Sequence, residues 1–290
     1  MREHDFITIA KQIRVILDEY FQQEDLLWKR ASEVLDDNLF YAIYALSHAC
    51  NMTTDSCYIL AKESRIYDAS ILRRTIIHAT LKMVYLLSAS DKNEEMSRLS
   101  EYVELLPKKQ FASIEQPIKA AFNAGRYGDG VKALFIKENF LEYIDNHKTQ
   151  PNEGKNLNSI KKKWGYKNLS PYVSKECPQW KEVCLRMDTR YSAANDYVHW
   201  NATGCFEIMV NLAKATGSQR FSNLLSHCFP LDILLDLCAL ECARIEVLSG
   251  RLGEQHKGLD AIIRRNKAWL KSFGAFQEET RQMMAKEANN

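Results

Sequence analysis

The stretch ILRRTIIHATLKMVYLL, residues 71 to 87, decides the fold class. It is mostly apolar around the helix, free of glycine and proline, and so suits a helix at the centre of a bundle. That helix is expected to run from Arg65 to Ser88. Working outward, residues 5 to 22 place Ile7, Ile9, Ile13, Val15, Ile16 and Tyr20 at helical spacing, and a second helix is expected over Glu24 to Leu35. From Asn38 the pattern LFYAIYALSHACNMTTDSCYILAKES reads as one long helix with a weak point at Asn51 to Thr54. Six prolines and 11 glycines, with few alternating runs of β-branched residues, argue for helices over strands. Short links between such segments favour antiparallel neighbours, so the chain is expected to be all-α, an antiparallel helical bundle.

From Ser90 to Ser174 the character changes: the segment is more charged, carries Pro107, Pro117 and Pro151, and includes Gly125, Gly128 and Gly130. Helices are expected over 93 to 105, 110 to 124 and 131 to 146, then the exposed loop HKTQPNEGKN. Residues 90–175 therefore read as an inserted or lid-like helical region within a single domain, 1–290. Strong periodicity returns over 179 to 215, with Gly217 as a stop, and again from Pro230 to Gly250. Residues 255–290 read as a C-terminal amphipathic extension, with Trp269, Leu270, Phe273, Phe276 and Met283, able to dock on the bundle or on another subunit.

Lysine and arginine number 39 against 37 acidic residues, a formal charge of +2, so no global field marks a nucleic-acid binder. Any anion recognition must be local. The best basic segment is KNLNSIKKKWGYKN, residues 155 to 168, where Lys161, Lys162, Lys163 and Trp164 make a candidate RNA-binding patch of cations and a stacking ring. The alternative is a solvated helix end that Trp164 anchors to the core. Eight scattered cysteines without a C-x-x-C pair suit reduced core thiols, and Cys238 and Cys242, one turn apart, lack a second pair to complete a metal site. No metal or cofactor is expected. The charged N-terminal segment does not read as a secretion signal, and no stretch has the roughly 20 apolar residues that span a bilayer. A cytoplasmic location without membrane attachment is the expectation.

No P-loop, dinucleotide fingerprint, H-E-x-x-H, nucleophile elbow or kinase set occurs. Histidine chemistry remains. In the central helix Arg73 and Arg74 precede His78, and Arg74, four residues before, shares its face. A histidine titrating near neutrality can move the proton of an attacking 2′-hydroxyl, while an arginine fork steadies charge on phosphoryl oxygens. Farther on, Asp188, Ser192, Asn195 and His199 are spaced four, three and four apart along CLRMDTRYSAANDYVHWNATGCFEIMVNLAKA, so they share a helix face. Asn195, one turn before His199, could orient its ring. His48 is a third candidate for the same interior. Against catalysis stands the reading that these groups are a satisfied polar network tying the bundle together.

The two helices carry a resemblance. Arg74-Thr-Ile-Ile-His78 and Tyr191-Ser-Ala-Ala-Asn195-Asp-Tyr-Val-His199 resemble an Arg-x3-Glu helix and a Tyr-x3-Ser-x3-His helix in a family of bacterial all-helical domains of unknown function, with histidine in place of glutamate and asparagine in place of serine. The correspondence spans roughly residues 40 to 215. More distantly, Arg73-x4-His78 looks like the HEPN superfamily, with Arg74 where that motif carries Asn, Asp or His. This resemblance implies a dimeric, metal-independent ribonuclease of toxin or phage-defence systems. The expectation is an RNA-cleaving effector using His199 and His78 as acid and base, assisted by Arg73 or Arg74, with Asn195 positioning His199. Partners are then RNA, and a second copy or another protein through the C-terminal helix. The alternative is a non-catalytic helical sensor or interaction module for a small ligand or protein.

Overall fold

The structure, a computed structural model of the 290-residue chain, describes residues 3–107, 153–177, 181–198 and 229–253, with 264, 265 and 268. The protein is all-α. In chain order the helices are α1 (Glu3–Val34), α2 (Asp37–Lys62), α3 (Ile66–Leu87) and α4 (Lys92–Ser100), a π-helical turn (Glu101–Leu105), then α5 (Glu153–Lys163), α6 (Tyr166–Glu176), α7 (Lys181–Val198) and α8 (Phe229–Leu252). Among the described residues there is no strand, and no helix is long and apolar enough to cross a membrane. The chain divides into two compact units, Met1–Ser88 with Val173–Asn290, and Ala89–Tyr172.

In the first unit α3 packs on α2, α7 and α8, and α8 packs on α1, α2 and α3. Seventeen of the 24 residues of α8 are buried, as expected of a helix that is apolar all round. Its expected stop at Gly250 is overrun: Gly250 is helical, and the chain turns at Gly253, whose φ of 66° only glycine adopts freely. The expected break between two N-terminal helices does not exist either. Ile13, Leu17, Tyr20, Glu24, Leu27 and Ala31 form one buried stripe through residues 22 to 24, and no glycine or proline interrupts the good helix formers there. The expected weak point in α2 is likewise continuous helix. Asp36 caps α2 by accepting from the Asn38 amide at 3.1 Å.

In the second unit, Leu99, Leu157, Ile160, Trp164 and Leu169 form the core. Helix α5 begins at Glu153, inside the segment expected to be loop. The expected helices at 110 to 124 and 131 to 146 lie outside the described residues, as do residues 199 to 228 and all of the C-terminal extension except Arg264, Arg265 and Ala268. Arg265 pairs with Glu19 of α1.

Candidate functional site

Helix α3 carries its two adjacent arginines in opposite roles, because neighbouring residues stand about 100° apart around a helix. Arg73 turns inward, 5 % exposed, and donates through Nη1 to Asp236 of α8 at 2.8 Å. Asp236 is fully buried, and Arg190 of α7 lies 3.7 Å from it and donates to Asp232 at 3.2 Å. Two arginines from α3 and α7 thus grip two aspartates one turn apart on α8. Removing such charges from water is tolerable only because each meets an opposite one. Cys57 lies near this cluster and donates to the Ala69 carbonyl at 3.2 Å; burial pushes its thiol up to about 12, which keeps it unreactive.

Arg74 turns the other way and stays half-buried. Its guanidinium lies 4.8 Å from the centre of the Tyr191 ring of α7, within cation–π range, and the His78 ring stands edge-on to the same tyrosine at 6.2 Å. One turn farther along, Lys82 is also half-buried, and desolvation lowers its pKa. Arg74, His78 and Lys82 follow each other at intervals of four along one flank of α3, a line of about 12 Å at 1.5 Å per residue. The flank offers a guanidinium fork, an imidazole ring and an ammonium group. That set can hold a phosphodiester and move a proton beside it.

Of the residues singled out in the sequence, Arg74 and His78 come together on this flank, while Arg73 belongs to the buried ion-pair cluster. Asn195 lies on α7, the helix that packs on α3, and His199 lies outside the described residues. Along the polar stripe Asp188 is half-buried and Ser192 exposed; the buried side of α7 carries Cys184, Met187 and Ala194. His48 is not in the interior: it is exposed on α2 and stacks on Tyr44 at 6.1 Å. Trp164 is 2 % exposed, packs on Tyr102 at 5.2 Å and donates its indole N–H to Glu101 at 2.8 Å. Both faces needed for stacking on a base are covered. Lys163 holds the same Glu101 at 2.9 Å, and Lys161 and Lys162 are exposed.

Sequence reasoning missed Asp232, Asp236, Arg190 and Lys82. The signal for the aspartates was available, since PLDILLDLC puts two carboxylates one turn apart inside an apolar run. It also missed a second buried network. Arg244 of α8 donates to Thr80 of α3 at 3.1 Å, to Asn51 of α2 at 3.0 Å and to Glu241, while Glu24 of α1 accepts from Asn51 at 2.5 Å and from Ser47. Glu24, Glu241 and Arg244 are at most 1 % exposed. One arginine faces two carboxylates there, and burial pushes the Glu241 carboxyl up to about 8 despite the lowering influence of Arg244. Next to Thr80, an apolar hollow of about 20 Å³ is lined by Ile77, Val84, Cys184, Met187 and Leu240. It has room for little more than a water-sized guest.

The six cysteines among the described residues are free and buried, and no group of three or more His, Cys, Asp or Glu side chains there could share a metal ion. Comparison of the chain with protein-family models, curated proteins and solved structures finds no match in any of the three.

Proposed function

We propose that this chain is a metal-independent RNA-cleaving effector of the toxin or phage-defence type, working on the half-buried flank of α3. The observation that carries the reading is the placement of Arg74 and His78 beside Tyr191, with the half-buried Lys82 one turn beyond His78 on the same flank. Arg74 binds the non-bridging oxygens of the scissile phosphodiester, Lys82, two turns on, meets the neighbouring phosphate, and His78 takes the proton from the 2′-hydroxyl as its oxygen attacks phosphorus. The leaving 5′-oxygen receives a proton from a second acid, for which His199 is the candidate on its sequence position alone, with Asn195 orienting it. The products are a 2′,3′-cyclic phosphate and a free 5′-hydroxyl. Arg73 has no part in the chemistry; through Asp236 it positions α3 against α8. In the second unit, the exposed Lys161 and Lys162, without Trp164, are by themselves a candidate contact for RNA phosphates. Of the two resemblances only that to the HEPN superfamily points to this class, and it is carried by His78, because its motif arginine, Arg73, is held by Asp236.

The test incubates labelled tRNA and total RNA, with EDTA present, with wild type and with Arg74→Ala, His78→Ala and His199→Ala. Cleavage by wild type to 2′,3′-cyclic phosphate ends, falling about 10²–10³-fold when Arg74 is removed, is the expected result for loss of one donor to the transition state. Equal cleavage by wild type and variants ends the assignment.

A second reading, a non-catalytic sensor or interaction module, draws on the buried Arg73, Asp236, Arg190 and Asp232 cluster, which suits a bundle whose polar groups specify its packing. Under it, no preparation cleaves RNA, and substitutions at Arg74 and His78 change melting temperature or ligand affinity alone.

A further inference from the structure

We infer that Arg74 and His78 form a receptor for a phosphate monoester, a ligand that shuts RNA out of the flank of α3. The observation behind it is an arginine left without a carboxylate. Arg14 meets Asp18 and Asp55, Arg73 meets Asp236, Arg98 meets Glu94, Arg190 meets Asp232, and Arg244 meets Glu241. Arg74, half-buried like Arg14 and Arg190, has no ion pair or hydrogen bond among the described residues, and its Nε is cut off from solvent without a partner. It is held over the Tyr191 ring, 4.8 Å from Cζ, and a ring satisfies the charge without accepting the N–H donors as an oxygen does. A partly desolvated cation in this condition is costly unless an anion completes it.

The donors select the anion. A guanidinium binds two oxygens of a phosphate or carboxylate together through its planar fork. The next donor is the His78 ring, which keeps at least one N–H in either protonation state and stands against the same tyrosine at 6.2 Å. Arg74 and His78 are one turn apart, about 6 Å along the helix, a distance that a tetrahedral group with a hydrogen bond of about 2.8 Å on either side spans. A carboxylate has two oxygens, and the fork uses both. A phosphodiester inside RNA likewise has two free oxygens. A monoester has three, with a charge of about −1.5 to −2 at neutral pH, and so fills the fork and the ring together. Orthophosphate, a nucleotide and an RNA end all carry such a group. The competition with RNA rests on the cleavage proposed above; the receptor itself does not.

Titration calorimetry and thermal melting of the full chain test this, with inorganic phosphate, a nucleoside 3′-monophosphate and a 2′-deoxy dinucleotide diester, each against chloride of equal ionic strength. Phosphate and the monophosphate are expected to bind and to raise the melting temperature, and the diester to bind about tenfold more weakly, as for one charge-assisted hydrogen bond lost. Arg74→Gln is expected to bind phosphate about 10–100-fold more weakly with unchanged helical circular dichroism. The exposed Arg30→Gln is expected to bind it as wild type does. Should Arg74→Gln unfold, Arg74→Lys, which keeps the charge and loses the fork, gives the same reading. His78→Ala is expected to hold monoester and diester alike. In RNA cleavage, phosphate is expected to raise the apparent KM and leave kcat unchanged. A monophosphate bound tighter than orthophosphate supports the receptor with an RNA end or nucleotide as its source, and the reverse order supports it with free phosphate. No binding beyond chloride, equal binding by wild type and the Arg74 variants, or a monoester preference that is absent or survives His78→Ala overturns the inference. Phosphate held through Arg74 by a chain that leaves RNA intact supports the receptor and ends the ribonuclease assignment alone. RNA cleaved with a KM indifferent to phosphate overturns the inference and leaves that assignment standing.

Discussion

Removing the Arg73 guanidinium takes from the fully buried Asp236 its 2.8 Å partner, with Arg190 standing farther off at 3.7 Å, while removing that of Arg74 takes a cation–π contact from a half-buried tyrosine ring. The two neighbours therefore report on different properties. Arg73→Ala is expected to destabilise the bundle by about 3–5 kcal/mol, the usual result of stranding a buried charge. Arg74→Ala is expected to lose about 1 kcal/mol, the scale of a partly exposed cation–π contact. Urea unfolding of the two variants checks the difference, and equal losses would mean that Arg73 is not held as described. The double variant Arg73→Met with Asp236→Leu should recover much of the loss, since an apolar pair of similar volume removes both desolvated charges together.

At the scale of elements, periodicity located the helices well and their joints poorly. Residues 5 to 22 and 24 to 35 each read as helix, but the polar run Gln22, Gln23 and Glu24 looked like a joint, because the reading had no way of knowing that Glu24 points inward to Ser47 and Asn51. A buried carboxylate satisfied by another helix breaks an apolar pattern without breaking the helix. The same blindness applies to α8: Asp232, Asp236 and Arg244 sit on a helix legible only as apolar, and the residues of other helices that they meet are 42 to 193 residues away in sequence. Arg74 and His78 were legible because their relation is local, a single turn. Their contact with Tyr191 is a matter of which helices pack, which spacing does not encode. Trp164 was legible as an aromatic among lysines, but its use as a core anchor depends on Glu101, some 60 residues earlier. The continuity of α1 has a direct test. Gln23→Pro removes a hydrogen bond inside the helix and clashes with the preceding turn, and is expected to cost about 3 kcal/mol in denaturant unfolding. Two helices joined at this point would accept proline with little change.

At the scale of the whole molecule, the dependence of stability on pH is set by carboxylates displaced in opposite directions. Glu94 accepts from the Ser90 amide and hydroxyl at 2.8 Å and pairs with Arg98, which holds its pKa at about 2 against an ordinary 4.5. Its contribution is complete above 4.5 and fades as pH falls toward 2, because the unfolded chain then binds the proton that the folded one refuses. Glu241 behaves in the reverse sense. It is raised from 4.5 to about 8 by burial, with Glu24 and Asp55 pushing the same way and Arg244 opposing, so between those values the folded chain holds a proton that the unfolded chain has released. Stability then decreases as pH rises from 4.5 to 8 and levels off above. Cys50 faces the same network and is itself raised, so it remains a neutral thiol throughout this window. Glu241→Gln keeps the shape and a neutral acceptor for Arg244 while removing the proton equilibrium. The variant should match wild type near pH 5, show a flat melting temperature from pH 5 to 8, and exceed wild type at pH 9. A wild-type profile that rises across pH 5 to 8, or a variant that retains its slope, would show that Glu241 is ionised in the fold and that Arg244 alone compensates both carboxylates.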